Sequence, residues 1–341
     1  MTRRGAGLAL RALLVALALV PFLGFSLFAQ YTQAELELIT KHLYMGLPQT
    51  FSSTQQILVR TAYVNCYDSS RRVGLWSAYH VVSDYLCKPE RESDFEKYRE
   101  DIKATGCPIP TEYERQYQPD SQKYDAGHLA PYNISGGDRD SDGQYACYRP
   151  SEADDGTGED ACYCGDHSDP DDYSDDESQD GECLEYCGPS DPQDENTVFE
   201  INYLSNFAPQ HESFNRWGLW RKLERMIQET WVRDRGLELW VVAGSVFTGS
   251  EPAKAGPWED IHIPQLFFKL VVKVEQNGPS ILAFLVPHVA DGSGDIEDYL
   301  VTVDTIEALS GFDFFRELPD DIEGALESEG TWQNWDEFGS G

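Results

Sequence analysis

Residues 138–195 hold 21 acidic side chains, two basic ones (Arg139 and Arg149) and five cysteines, a net charge of −19 in one stretch. The segment has few aliphatic residues and no sustained hydrophobic period, so it cannot build a core of its own. The fold must therefore be assembled from the sequence on either side, with 138–195 as an insertion held by disulfides or bound cations. The rest of the 341-residue chain is ample for a core, since hydrophobic residues make up 40% of the whole and aromatics 12%. Sixty acidic side chains against 26 basic ones argue against a protein that grips nucleic acid through a broadly basic surface. A local basic cleft stays compatible, because over half of the net −34 lies in the insertion.

The N-terminus governs how the cysteines are read. Arg3, Arg4 and Arg11 precede an apolar run over 12–29, and polar sequence begins at Gln30, the layout of a secretory signal peptide. The expectation is a signal peptide at 1–29 and a secreted or periplasmic product. An uncleaved membrane anchor is the alternative, weakened by Pro21 and Gly24. In an oxidising compartment the eight cysteines are expected mainly as disulfides. Three lie outside the insertion (Cys66, Cys87, Cys107), so full pairing needs at least one bridge from core to insertion. Cys66, in a probable buried strand, could equally be a free apolar thiol.

Residues 57–67 (ILVRTAYVNCY) and 73–82 (VGLWSAYHVV) read as a hairpin turning at Asp68, Ser69 and Ser70. Residues 198–204 (VFEINYL), 237–242, 265–274 and 281–286 read as strands. Over 214–230, Leu219, Leu223, Met226 and Ile227 recur at helical spacing. Several strands with one amphipathic helix and shorter helices imply an α+β architecture.

Three groups of residues carry chemistry. In Asp125-Ala126-Gly127-His128 the glycine lets the backbone turn and present an imidazole, which accepts a proton near neutral pH. Asn215 offers a carbonyl oxygen to a hard cation, and Glu224 on the same helix could hold a metal's water shell. The blander reading is that Asn215 caps the helix and Glu224 is a solvated face residue. Arg91, in Arg-Glu-Ser-Asp-Phe, could neutralise charge on a phosphorane-like transition state, or simply lie in a charged surface loop.

The order of these segments resembles the DNA/RNA non-specific endonucleases of the ββα-metal class, which include secreted bacterial nucleases and mitochondrial endonuclease G. YVNCYDSSRRVGLWSAYHV looks like the family's opening hairpin, RESDF like its arginine segment and DAGHLAP like its D-R-G-H motif. INYLSNFAPQ, FNRWGLWRKLE, LWVVAGSVFTG, IPQLFFKLVV, FLVPH and TIEALSGFDFFRELP follow in family order. The resemblance implies a ββα-metal (His-Me finger) fold, with a central antiparallel sheet flanked by helices. It spans 46–318, is broken by the insertion, and leaves 319–341 as a C-terminal tail. It implies His128 as general base, Asn215 as Mg2+ ligand (with Mn2+ the alternative metal) and Glu224 as the residue ordering metal-bound water. It further implies Arg91 on the scissile phosphate, with Asp125, Asn206 and Gln210 bracing the site. The implied reaction is one-metal hydrolysis of DNA and RNA to 5′-phosphorylated products, through phosphate contacts and without a small-molecule cofactor. A homodimer is compatible. Two departures stand out: Ala126 replaces the family's arginine, and the interval from Asn215 to Glu224 is one residue longer than usual. The extra residue either precedes the helix proper or turns Glu224 by about 100°.

Asp138, Asp140 and Asp142 match half of a calcium loop, but position 12 is Arg149 rather than glutamate. The insertion is thus open to three readings: a weak Ca2+ site, a solvating excursion for high salt, or an electrostatic brake on nucleic-acid binding. Two other functions compete with the nuclease. One is a decayed nuclease scaffold acting as an extracellular calcium-binding or adhesion module. The other is a zinc hydrolase using Cys162, Cys164 and His167.

Overall fold

The computed structural model describes residues 30–49, 52–86, 88–89, 98–114, 124–136, 139, 162–163, 197, 199–249, 251–275, 278–288, 294–328 and 335. The expected signal peptide, Arg91, Cys87, the Asp138, Asp140 and Asp142 half-loop, His167 and nearly all of the insertion lie outside the described residues. Among those described, no helix is long and apolar enough to cross a membrane.

The strands are β1 (Gln55–Val59), β2 (Val64–Asp68), β3 (Val73–Val81), β4 (Tyr124–His128), β5 (Phe207–His211), β6 (Leu239–Val246), β7 (Leu266–Glu275), β8 (Gly278–Pro287) and β9 (Leu300–Val301). The helices are α1 (Gln33–His42), α2 (Glu212–Arg216), α3 (Leu219–Arg225), α4 (Val303–Ser310) and α5 (Asp320–Ser328). Seven strands form one sheet in the order β1-β2-β3-β6-β7-β8-β9, and each neighbouring pair is antiparallel. β4 and β5 pair separately, as a two-stranded ribbon.

Both faces of the sheet are covered, which is why β3 is buried along its whole length instead of alternating. Successive side chains of β7 point to opposite faces. Phe267 meets Phe214 and Trp220 of the α2–α3 layer, with ring centroids 5.3 Å away in each case. Phe268 meets Phe314, beyond α4, at 5.7 Å on the other face. It also crosses the neighbouring strand at Gly244, where an added Cβ would lie 2.4 Å from its ring. The fold is therefore an α+β sandwich, with its described catalytic candidates on one face.

Three expectations need correction. Residues 57–67 are two strands rather than one, because the chain reverses after Val59, where Arg60 N–H donates to Tyr63 O. The Arg60 guanidinium is held by buried Asp101, which also accepts from Ser205 Oγ at 2.6 Å. The described part of the expected strand at 198–204, residues 199–204, is not a strand: Ile201, Leu204 and Phe207 are fully buried at a spacing of three, and Asn202 and Tyr203 N–H close helical-type turns onto Phe199 and Glu200. Finally, Cys107 is a buried free thiol rather than a disulfide partner, and Cys66 is the free apolar thiol of the alternative reading. Burial pushes both thiols up, Cys107 to about 12, so both stay protonated and unreactive.

Candidate active site

β4 and β5 run antiparallel with Asp125 opposite Gln210, Gly127 opposite Ala208 and His128 opposite Phe207. β5 leads directly into α2, whose N-cap is His211. The result is a strand–strand–helix unit whose short elements all carry candidate residues.

Gly127 does not serve a turn. It sits in the strand, and an added Cβ would fall 2.2 Å from the Gln210 carboxamide, so the glycine lets that buried amide lie across the backbone. Gln210 is fully buried, and neither polar atom of its amide bonds to another protein group. Asn206 is also fully buried but wholly satisfied. Its Oδ1 accepts from Ser77 Oγ (2.8 Å) and Ala130 N–H (2.9 Å), and its Nδ2 donates to Ala130 O (2.9 Å) and Ile201 O (3.0 Å). It thereby ties the segment after His128 to the central sheet.

His128 Nε2 lies 3.2 Å from Asn202 Oδ1, and its ring centroid is 4.1 Å from that of Phe207. A carboxamide oxygen only accepts, so Nε2 carries the hydrogen and the ring's lone pair sits on Nδ1. The asparagine therefore selects the tautomer as well as the ring orientation.

Asn215 Nδ2 donates to Asp125 Oδ2 at 3.1 Å, and Arg216 forks the same carboxylate, Nε to Oδ2 at 2.8 Å and Nη2 to Oδ1 at 2.7 Å. An acceptor-only carboxylate fixes which end of the Asn215 amide faces it, leaving Oδ1 directed elsewhere. Asn215 is thus held by Asp125, three residues along one strand from His128 and roughly 10 Å away by strand rise. It caps nothing, since the cap of α2 is His211.

The long interval to Glu224 is absorbed by a break. α2 ends at Arg216, Trp217 caps it, and α3 restarts after Gly218. Glu224 keeps its inward phase and is 7% exposed, so it is not a solvated face residue. Lys269 Nζ, fully buried on β7, lies 3.5 Å from Glu224 Oε1, and Arg221 Nη1 lies 3.7 Å from Oε2. Lys269 also sits 3.8 Å from the Trp220 ring centroid. Beyond α3 the helix continues as a π-helical stretch, Met226–Asp234.

His288 anchors the junction of β5 and α2. Its Nε2 accepts from His211 N–H at 2.7 Å, while its Nδ1 donates to Pro264 O at 2.8 Å. Burial pushes His288 down to about 4, with neighbouring His211 adding to the effect. The unfolded ring takes up its proton near 6.5, so stability is full above that value and is lost as pH falls towards 4, by up to about 3 kcal/mol. His42, buried with Nδ1 accepting from His80 N–H, acts in the same direction. Thermal melts between pH 7.5 and pH 4 should show a shallower acid loss for His288→Gln than for the wild type. Parallel curves would remove His288 from this role.

Asn202, Arg216, Lys269 and His288 were not singled out in the sequence. Lys269 had the clearest signal, a lysine within the apolar run FFKLVV, where only a paired cation is tolerated.

The family model of DNA/RNA non-specific endonucleases matches residues 41–147 and 190–321. A nuclease of Nostoc sp. (strain PCC 7120 / SAG 25.82 / UTEX 2576) is 22% identical over 305 residues, covering 85% of this chain and 86% of the relative. A nuclease of Serratia marcescens is 31% identical over 134 residues, covering 38% of this chain and 48% of the relative. A chain from the crystal structure of the EndoG/EndoGI complex, which concerns the mechanism of EndoG inhibition, superposes with a TM-score of 0.52 at 17% identity. It covers 85% of this chain and 94% of its own length, and shows that the fold is shared. The ribbon that carries His128 and the helix that carries Asn215 fall inside the matched residues, and the chain belongs to the DNA/RNA non-specific endonuclease family.

Proposed function

We propose that this protein hydrolyses phosphodiester bonds of DNA and RNA without sequence preference, with neutral His128 as general base and a divalent cation held by Asn215. The observation that carries the reading is that β4 bears on both oriented groups: His128 ends the strand, and Asp125 within it holds Asn215 of α2. Asn202 leaves the His128 lone pair on Nδ1, and Asp125 leaves the Asn215 carbonyl oxygen to a ligand. One neutral oxygen ligand with a carboxylate nearby suits Mg2+, which takes few protein ligands and keeps several waters. When bound, the cation stabilises charge developing on the phosphate and on the departing 3′ oxygen.

The chain's own residues do the rest. His128 Nδ1 takes the proton of the attacking water while Nε2–H stays on Asn202. Asp125 orients Asn215, and Arg216 holds Asp125 in place. Glu224, held by Lys269, directs water in the cation's outer shell. Arg91 contacts the scissile phosphate in this reading, and products carry 5′-phosphates. The charged-then-apolar 1–29 segment exports the chain.

Digestion of plasmid DNA and of RNA by the purified protein tests this. Cleavage should be abolished by a chelator and restored by Mg2+ or Mn2+, and the fragments should accept ligation without prior phosphorylation. Cleavage that persists in chelator, or fragments with 3′-phosphate ends, would exclude the mechanism.

A further inference from the structure

α4 and α5 lie across the sheet from the catalytic ribbon. α4 packs on β6 and β8, α5 packs on β8, and both share the face where Phe268 meets Phe314. Where the two helices meet, Asp304, Glu307 and Glu327 bring carboxylate oxygens within 4.8 Å of one another. Glu327 is 7% exposed, and its Oε1 bonds to no protein group. Glu307 is half-buried, and its Oε1 accepts Phe314 N–H at 2.7 Å.

We propose that Asp304, Glu307 and Glu327 form a calcium site that clamps α4 to α5. Three converging carboxylates, one deeply buried with an unsatisfied oxygen, form the all-oxygen donor set of a hard cation. Oxygens around one Ca2+ at 2.3–2.6 Å can stand up to about 5 Å apart, so the cluster needs little closure. Calcium is favoured over Mg2+ because Mg2+ dehydrates reluctantly and is seldom held by a dedicated cage of protein carboxylates.

The electrostatics agree. Burial and then neighbouring carboxylates push Glu307 up to about 7 and Glu327 up to about 8. Asp313 and Glu323 add negative charge to both. The site is independent of the nuclease chemistry, since it lies on the opposite face of the sheet and shares no residue with the ribbon.

Thermal unfolding of the full chain with and without CaCl2 tests the proposal, alongside Glu327→Gln and Asp304→Asn. Both variants retain the acidic insertion, so any binding there stays as a common background. Ca2+ should raise the wild-type Tm by about 3 °C or more. Glu327→Gln should melt at or above the metal-free wild type and lose that response. Exposed Asp304→Asn should weaken Ca2+ at least tenfold by titration calorimetry while leaving plasmid cleavage in Mg2+ unchanged. If Glu327→Gln does not fold, Asp304→Asn decides alone. A wild type indifferent to Ca2+, or a response equal in wild type and Asp304→Asn, would overturn the site.

Discussion

His128→Ala should lower the single-turnover rate of plasmid nicking at saturating Mg2+ by a factor of about 10² or more, with RNA affected equally. A positioned general base contributes about 10²–10⁴ in rate, and each tenfold corresponds to about 1.36 kcal/mol of barrier. The ring lies at the end of β4 and is only partly buried, so its removal takes away a contact with Phe207 without opening the core. Tm should therefore stay close to that of the wild type, which separates loss of chemistry from loss of fold. Imidazole added to the alanine variant should restore part of the rate, because the vacated ring position faces Asn202. Asn202→Ala should cost less, about tenfold, since the ring remains but its tautomer is no longer selected. A near-native rate in folded His128→Ala would sink the assignment.

What the sequence made legible follows from how local each signal is. The sheet strands stand out as runs rich in Val, Ile, Leu and Phe, because strands covered on both faces need continuous apolar sequence. The motifs point to His128 and Asn215, but not to the reason for Gly127. A glycine before a histidine suggests a turn, whereas the actual demand is the Gln210 side chain arriving from the paired strand. The reversal at Arg60 carries no glycine or proline, and its buried anchor, Asp101, lies 41 residues away. The break at Trp217 and Gly218 is hidden because the four apolar positions that set the helical period, Leu219, Leu223, Met226 and Ile227, all lie after it. Partners reached through space were the least visible: Lys269 for Glu224 and His288 for His211 come from distant strands and loops. Periodicity within one element cannot report such pairs.

Lys269→Met should reduce both stability and turnover, and the two losses should separate in a double variant. Lys269 is fully buried, and burial pushes its ammonium down to about 8 against the pull of Glu224. Its 3.5 Å approach to Glu224 Oε1 is an ion pair rather than a close hydrogen bond, reinforced by the Trp220 face 3.8 Å away. Methionine nearly preserves the volume, so the packing around Phe267 and Trp220 should survive. What is lost is the buried counter-charge, which leaves Glu224 with Arg221 at 3.7 Å as its remaining cation. Removing one partner of a buried pair costs about 3–5 kcal/mol, equivalent to a fall in Tm of roughly 4–7 °C for a chain of this size. Glu224 then loses the partner that fixes it and can swing outward, which should lower kcat at least tenfold. Lys269→Met/Glu224→Gln removes both charges, so its stability should return most of the way while its activity stays low. That pattern would assign Lys269 to holding Glu224 in place. If Lys269→Met alone melts and cleaves like the wild type, Glu224 does not depend on this lysine. The buried pair would then be incidental to the reaction.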